Sequence, residues 1–180
     1  IAPSAIESLS QARNLLEDLL QWGVHQLKSK SVELSNIQLR ELVEEVFSTV
    51  AVMADSKNNK LINEVPSEIV IRSDRNILSF ILRNLLQNSI KFTHKGAIRV
   101  RGVDGGRVSI FVEDEGVGMT EPEVNRILRG EAFSSSGTHG EQVTGLGMSL
   151  IREFTNTLGG ELNIRSEKNQ RTSTELRLNH

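Results

Sequence analysis

The 180-residue chain predicts an α/β (α+β) sandwich, a mixed β-sheet covered on one face by helices. Three observations predict it. Apolar residues recur at helical spacing over roughly 38–55 and again over 74–91. Short runs between and after them alternate apolar with polar side chains and end in turn residues. The two patterns interleave along the chain, and 37% apolar residues suffice for one core.

Residues 4–30 read as one long helix, because Leu9, Ala12, Leu16, Leu19 and Gly23 alternate steps of three and four. Leu20, Val24 and Leu27 widen the stripe, and the run from Leu15 to Trp22 is too apolar to stay wet. At 1.5 Å per residue this helix would be roughly 40 Å long, so it reads as half of a helical hairpin rather than a helix packed on a small domain. Lys28–Ser35 is polar and marks a boundary. Leu39, Leu42, Val43, Val46, Phe47, Val50 and Met53 form the stripe of the next helix. Leu61–Val65 and Ile69–Ile71 read as strands broken by Pro66, and Ser73 and Asp74 as caps for a helix running to about Lys91. Ile98 and Val100, then Val108, Ile110 and Val112, alternate on either side of Asp104-Gly105-Gly106 and predict a hairpin. A short helix starts near Pro122 and ends by Gly130. Gly130–Thr144 is rich in Gly and Ser, without periodicity, and reads as a mobile loop. Leu146–Leu158 reads as a helix stopped by Gly159-Gly160, and Glu161–Ser166 with Thr172–Leu178 as a last hairpin.

Composition removes several classes of chemistry. The chain has 21 basic and 23 acidic residues, a net charge of −2, which gives no footprint for nucleic acid or an acidic membrane. It has no cysteine, which excludes disulfide frameworks, thiol nucleophiles and thiolate zinc sites. No apolar run approaches the ~18 residues a membrane span needs. His25, His94, His139 and His180 lie far apart, without metal-ligand spacing. Neither a G-x-S-x-G elbow nor a Walker phosphate loop occurs. The chain opens on Ile1 without a signal-peptide pattern and reads as a fragment of a longer protein.

Three polar sets interrupt the apolar elements. Asn84 and Asn88 sit four apart on the second helix, with Lys91 on the next turn. Two carboxamides and an ammonium offer a neutral oxygen for Mg²⁺ and a cation for phosphate. The same pair serves equally to cap loop backbone, and the trio alone does not choose. Asp114 follows an apolar strand and opens a glycine turn with Gly116, Gly118 and Met119, where bare backbone admits a ligand and a carboxylate can accept from an exocyclic amine. That motif is weak alone, since strands often end in Asp and Gly. Thr144, Gly145, Leu146, Gly147 and Met148 lead directly into a helix, whose N-terminal N–H groups bind phosphate. The loop before them, with Phe133, is placed to close as a lid.

In this order and spacing the three sets resemble known motifs. Asn84 to Thr93 looks like the N box of sensor histidine kinases, Asp114 to Met119 like their G1 box, and Thr144 to Met148 like their G2 box. The resemblance covers roughly residues 35–178 and identifies the chain with the GHKL ATP-binding superfamily and its Bergerat-type fold. It implies that Asn88 holds Mg²⁺ against the phosphates of ATP, with Asn84 and Lys91 on the phosphate side and Phe92 near the base. It implies that Asp114 accepts from the adenine amino group in a pocket shaped by Gly116, Gly118 and Met119. Gly145, Leu146, Gly147 and Met148 would donate N–H groups to phosphate, with Thr144 opening that box. Residues 130–144 would be the ATP lid, and Ser173 would support the adenine side.

Gyrases, mismatch-repair proteins and heat-shock chaperones of that superfamily carry a catalytic Glu where this chain has Asn84. Without it the resemblance implies phosphoryl transfer to a side chain rather than hydrolysis. The run Asn14 to Trp22 resembles the second helix of the kinase dimerisation hairpin. The implied organisation is 1–32 as that helix and 33–180 as the catalytic domain. The implied activity is protein-histidine kinase, with a response-regulator receiver domain as partner and a homodimer formed through the hairpin. The implied location is a cytoplasmic domain of a protein anchored in the inner membrane, with no membrane or nucleic-acid contact by this fragment. Two departures stand out. No histidine here is followed by an acidic residue, so the phosphoacceptor lies outside this chain, and the F box is reduced to Phe133. A serine kinase of the anti-sigma type and a dimerising scaffold with a decayed site are the alternatives. The leucine-rich helix opposes the first; intact Asn88, Asp114 and glycine boxes oppose the second.

Overall fold

Alternation over 97–114 becomes the centre of a sheet, and the two helical stripes become its cover. The computed structural model describes residues 32–131, 135–138, 142–143 and 146–179, with Leu16, Leu19 and Gly23. The chain divides into two units, Ile1–Val32 and Glu33–His180. In the first, Leu16, Leu19 and Gly23 are helical and both leucines are exposed; the rest of the helix expected over 4–30 lies outside the described residues.

The second unit runs β1 (Leu34–Gln38), α1 (Leu39–Ser56), β2 (Lys60–Glu64), β3 (Val70–Asp74), α2 (Arg75–Phe92), β4 (Ala97–Asp104), β5 (Val108–Asp114), α3 (Glu121–Leu128), β6 (Ser135–Ser136), β7 (Gln142–Val143), α4 (Leu146–Thr157), β8 (Glu161–Glu167) and β9 (Arg171–Leu178). Five strands form the main sheet in the order β2-β4-β5-β9-β8. Only β2 with β4 is parallel, so the sheet is mixed as predicted. On its inner face Ile98, Val100, Val108, Ile110, Val112, Leu176 and Leu178 are buried in one core with α1, α2 and α4. The other face carries Arg99, Arg101, Glu113, Glu175 and Arg177, with the Arg101 guanidinium 4.1 Å over the Phe111 ring. One dry face and one wet face are what period-two alternation produces.

α2 is the central helix, buried on several sides through Ile77, Leu78, Phe80, Ile81, Leu82, Leu85, Leu86 and Ile90. Asp74 caps it as predicted: Oδ1 accepts from Asn76 N at 3.0 Å and Ile77 N at 3.1 Å. Ser73, expected to share that role, lies one residue before the cap and pairs with Ser35 across the β1–β3 sheet. At the other end of α2, Lys57 Nζ donates to Lys91 O at 2.6 Å and Asn59 Nδ2 to Thr93 O at 2.9 Å, which satisfies carbonyls the helix leaves open. Phe80 meets Phe154 of α4 edge-on at 4.8 Å.

Three short strands differ from the sequence reading. β1 lies partly within the expected polar boundary and pairs antiparallel with β3, Ile37 opposite Ile71, as a separate two-stranded sheet. Only Ile37 in β1 is buried, so no alternation announced it. Within the loop expected to lack regular structure, β6 and β7 pair, Ser135 opposite Val143. Among the described residues no helix is long and apolar enough to cross a membrane.

Candidate functional site

The inner-face ladder turns polar at one end. One rung aligns Val100, Val112, Thr174 and Ile164; the next aligns Ile98, Asp114, Thr172 and Ser166. Above those rungs lies a cavity of about 170 Å³. α2 lends it Leu85, Asn88, Ser89 and Phe92, one face at spacings of three, four and seven. Met148 and Ser149 come from the first turn of α4, Glu123 and Ile127 from α3, and Val117, Gly118 and Met119 from the loop after β5. Most of the wall is apolar.

Asp114 lies on the floor, 6% exposed. Burial pushes its carboxyl up to about 6, with hydrogen bonds from the Ser89 hydroxyl and the Gly116 N–H (3.0 Å) pulling the other way. Thr93 pulls the same way least; its fully buried hydroxyl faces the carboxylate without a well-aligned hydrogen bond. The carboxylate is thus held buried at neutral pH with acceptor capacity directed at the cavity, a costly arrangement that a ligand donor offsets.

The glycine loop owes its path to close approaches. A Cβ at Gly116 would lie 2.5 Å from Phe92 O and 2.7 Å from Asp114 Oδ1. Gly118 has φ +59°, and a Cβ there would collide with the Glu167 carbonyl. Val117 N donates to Phe92 O at 3.0 Å, Asn169 N to Val117 O at 2.7 Å, and Met119 N to Ser166 Oγ at 2.7 Å.

The fold brings Asn88, Phe92, Asp114, Gly118, Met119 and Met148 together around this cavity. Asn88 Nδ2 donates to Met148 Sδ at 3.4 Å, which leaves its Oδ1 as the hard oxygen donor. Asn84 is buried beneath, its Nδ2 donating to Phe80 O at 2.9 Å, while a Cβ at Gly147 would be 3.9 Å from its Oδ1. Gly116 and Lys91 do not line the cavity; the Lys91 carbonyl also accepts from Thr138 N at 3.0 Å, which docks the β6–β7 segment on the end of α2. Leu146 begins α4, whose first turn leaves N–H groups without intrahelical acceptors. Thr144, Gly145, Phe133 and the side chain of Leu146 lie outside the described residues.

Ser173 is a correction. It sits on the opposite face of β9, donating to Glu113 Oε1 at 3.3 Å, and its neighbours Thr172 and Thr174 line the cavity instead. Those threonines, Ser89, Ile164 and Lys168 escaped sequence reasoning. Strand parity in β9 could have found the threonines, because its alternate residues Leu176 and Leu178 are the apolar ones.

Comparison with known proteins gives the family and the fold. Residues 73–180 match the family model described as "Histidine kinase-, DNA gyrase B-, and HSP90-like ATPase". The chain is 29% identical over 159 residues to the sensor histidine kinase YclK of Bacillus subtilis (strain 168), covering 84% of this chain and 33% of that protein. Among solved structures, full-length ShkA in complex with AMPPNP superposes with a TM-score of 0.76 at 26% identity, over 96% of this chain and 36% of ShkA. Histidine kinase ThkA in complex with response regulator protein TrrA gives a TM-score of 0.74 at 19% identity, over 99% of this chain and 52% of that one, a likeness of fold alone. The chain spans a third or less of the length of the curated relatives it matches.

Proposed function

From a chain that belongs to the histidine kinase-, DNA gyrase B- and HSP90-like ATPase family, we propose the ATP-binding catalytic domain of a two-component sensor histidine kinase. The observation that carries the reading is Asp114, a buried carboxylate on the floor of an apolar cleft, beside two glycines that bring backbone to its edge. An adenine amino group supplies the missing donor, and the apolar wall supplies the slot for a flat ring.

The phosphates extend toward Asn88 and the first turn of α4, where Gly147 and Met148 offer N–H groups. The residues fit Mg²⁺ in one way. Among the described residues no cluster of three acidic or histidine side chains could cage a metal, so the ion would be held by Asn88 Oδ1 together with substrate phosphates and water. When bound, it would neutralise phosphate charge. Lys91 adds a cation on this side, and Phe92 packs at the base. Asn84 stands where hydrolytic relatives place their general base, and its amide is already bonded to Phe80 O. Water is left unactivated, and the γ-phosphoryl is reserved for transfer to a histidine on the dimerisation hairpin, with catalysis by positioning and charge neutralisation. Residues 1–32 would contribute the second helix of that hairpin in a homodimer. The phosphorylated histidine would pass its group to a response-regulator Asp, by analogy with the complex that ThkA forms with response regulator TrrA.

Calorimetry with a non-hydrolysable ATP analogue tests the reading. We expect micromolar-range binding that weakens without Mg²⁺ and falls at least tenfold in Asp114→Asn. Absence of binding to a folded sample would leave a scaffold with a decayed site as the better account.

A further inference from the structure

We infer that Ser166, outside every motif in the sequence, is a positioning residue that sets the base-facing wall of the nucleotide site; the inference rests on the nucleotide reading above. The wall is the segment Val117–Met119, which lies outside helix and strand. Each of its three residues is fixed by the β8–β9 end. Asn169 N donates to Val117 O at 2.7 Å, and Gly118 abuts the Glu167 carbonyl. Met119 N donates to Ser166 Oγ at 2.7 Å. The first two clamps use main-chain atoms of the β8–β9 end and tolerate most side chains there. The third depends on one hydroxyl.

That hydroxyl is tied in turn. Ser166 Oγ lies 3.0 Å from Arg171 O and 2.8 Å from Thr172 Oγ1. Having one proton, Ser166 accepts from Met119 and donates to one of these two. Thr172 faces the cavity on the rung of Asp114. A chain of hydrogen bonds therefore runs from the cavity through Thr172 and Ser166 to the Met119 backbone. Removing Ser166 Oγ leaves the Met119 N–H without its acceptor and frees the wall on one side. A flat ring is gripped by dispersion, which a gap of 0.5–1 Å cuts by a quarter to a half per contact. The loss should fall on base recognition, because the hydrogen bonds of Ser166 go to Met119, Arg171 and Thr172, while the phosphate end is built from α2 and α4.

The experiment compares wild type, Ser166→Ala and Ser166→Thr by calorimetry with non-hydrolysable ATP and GTP analogues, after thermal melts on each. The expected result is a five- to tenfold loss of ATP-analogue affinity in Ser166→Ala with a smaller loss for the GTP analogue, so that base selectivity narrows. Ser166→Thr, which keeps the hydroxyl, should restore both. Unchanged affinity and selectivity in Ser166→Ala would overturn the inference. So would an equal loss for both nucleotides that tracks a lowered melting temperature and is not rescued by threonine. A wild type that binds neither nucleotide would instead overturn the nucleotide reading itself.

Discussion

The two ends of the cavity are built differently. The end proposed for the base is tied by distant elements, Val117 N to Phe92 O, Asn169 N to Val117 O and Met119 N to Ser166, all between 2.7 and 3.0 Å. The end proposed for phosphate is one face of α2 and the start of α4, linked by the 3.4 Å contact of Asn88 with Met148 Sδ. On the proposed reading, one end is shaped before a ligand arrives and the other is completed by what it binds. Preorganisation serves a flat ring, which is recognised by fit. A polyphosphate is recognised by charge, and a magnesium ion brings most of its own coordination shell.

The largest effect should come from breaking the preformed end. Gly118→Ala forces a side chain into the Glu167 carbonyl at φ +59°. We expect a loss of roughly 2–4 kcal/mol of stability, read by chemical denaturation, and abolished nucleotide binding.

Next comes the carboxylate. The folded Asp114 carboxyl, raised to about 6, binds its proton more tightly than the unfolded one. Between about pH 4 and 6 the folded domain holds a proton that the unfolded chain has released, so stability falls as pH rises through that window. Asp114→Asn should remove this slope and stabilise the ligand-free domain at pH 7.5 by about 1–3 kcal/mol, even as it loses nucleotide. Wild-type nucleotide affinity should decline below about pH 6 as the acceptor is protonated. Melting curves and calorimetry from pH 5 to 8 check both, and a site residue that only held the fold together would show the opposite sign of stability change.

The smallest effect belongs to the substrate-completed end. Asn88→Ala should leave the melting temperature nearly unchanged and lower affinity roughly tenfold, about 1.4 kcal/mol, with the Mg²⁺ dependence of binding largely removed. A mutant that keeps full Mg²⁺ dependence would take Asn88 out of the metal's shell.

Much of this is legible in the sequence. The stripe of α2, its Asp74 cap and the 98–112 hairpin are local patterns, in which neighbours a few residues apart decide the conformation. Asp114, Gly118 and Asn88 could be singled out because polar or bare residues interrupt apolar runs. β1 was not legible, since its one buried residue, Ile37, answers to Ile71, thirty-four positions away. Neither was the wall that Ser166 holds, because no pattern in β8 distinguishes it from Asn163 or Arg165.

The sequence alone determined the main helices and hairpins, the Asp74 cap and the three polar sets from which the site is drawn. Tertiary structure alone decided what the inward-facing Thr172 and Thr174 meet, Asp114 and Ser166 on one rung and Val112 and Ile164 on the next. The reason is physical: side chains in a strand alternate faces, so a register slip of one residue exchanges them, and only pairing with β5 and β8 settles the register.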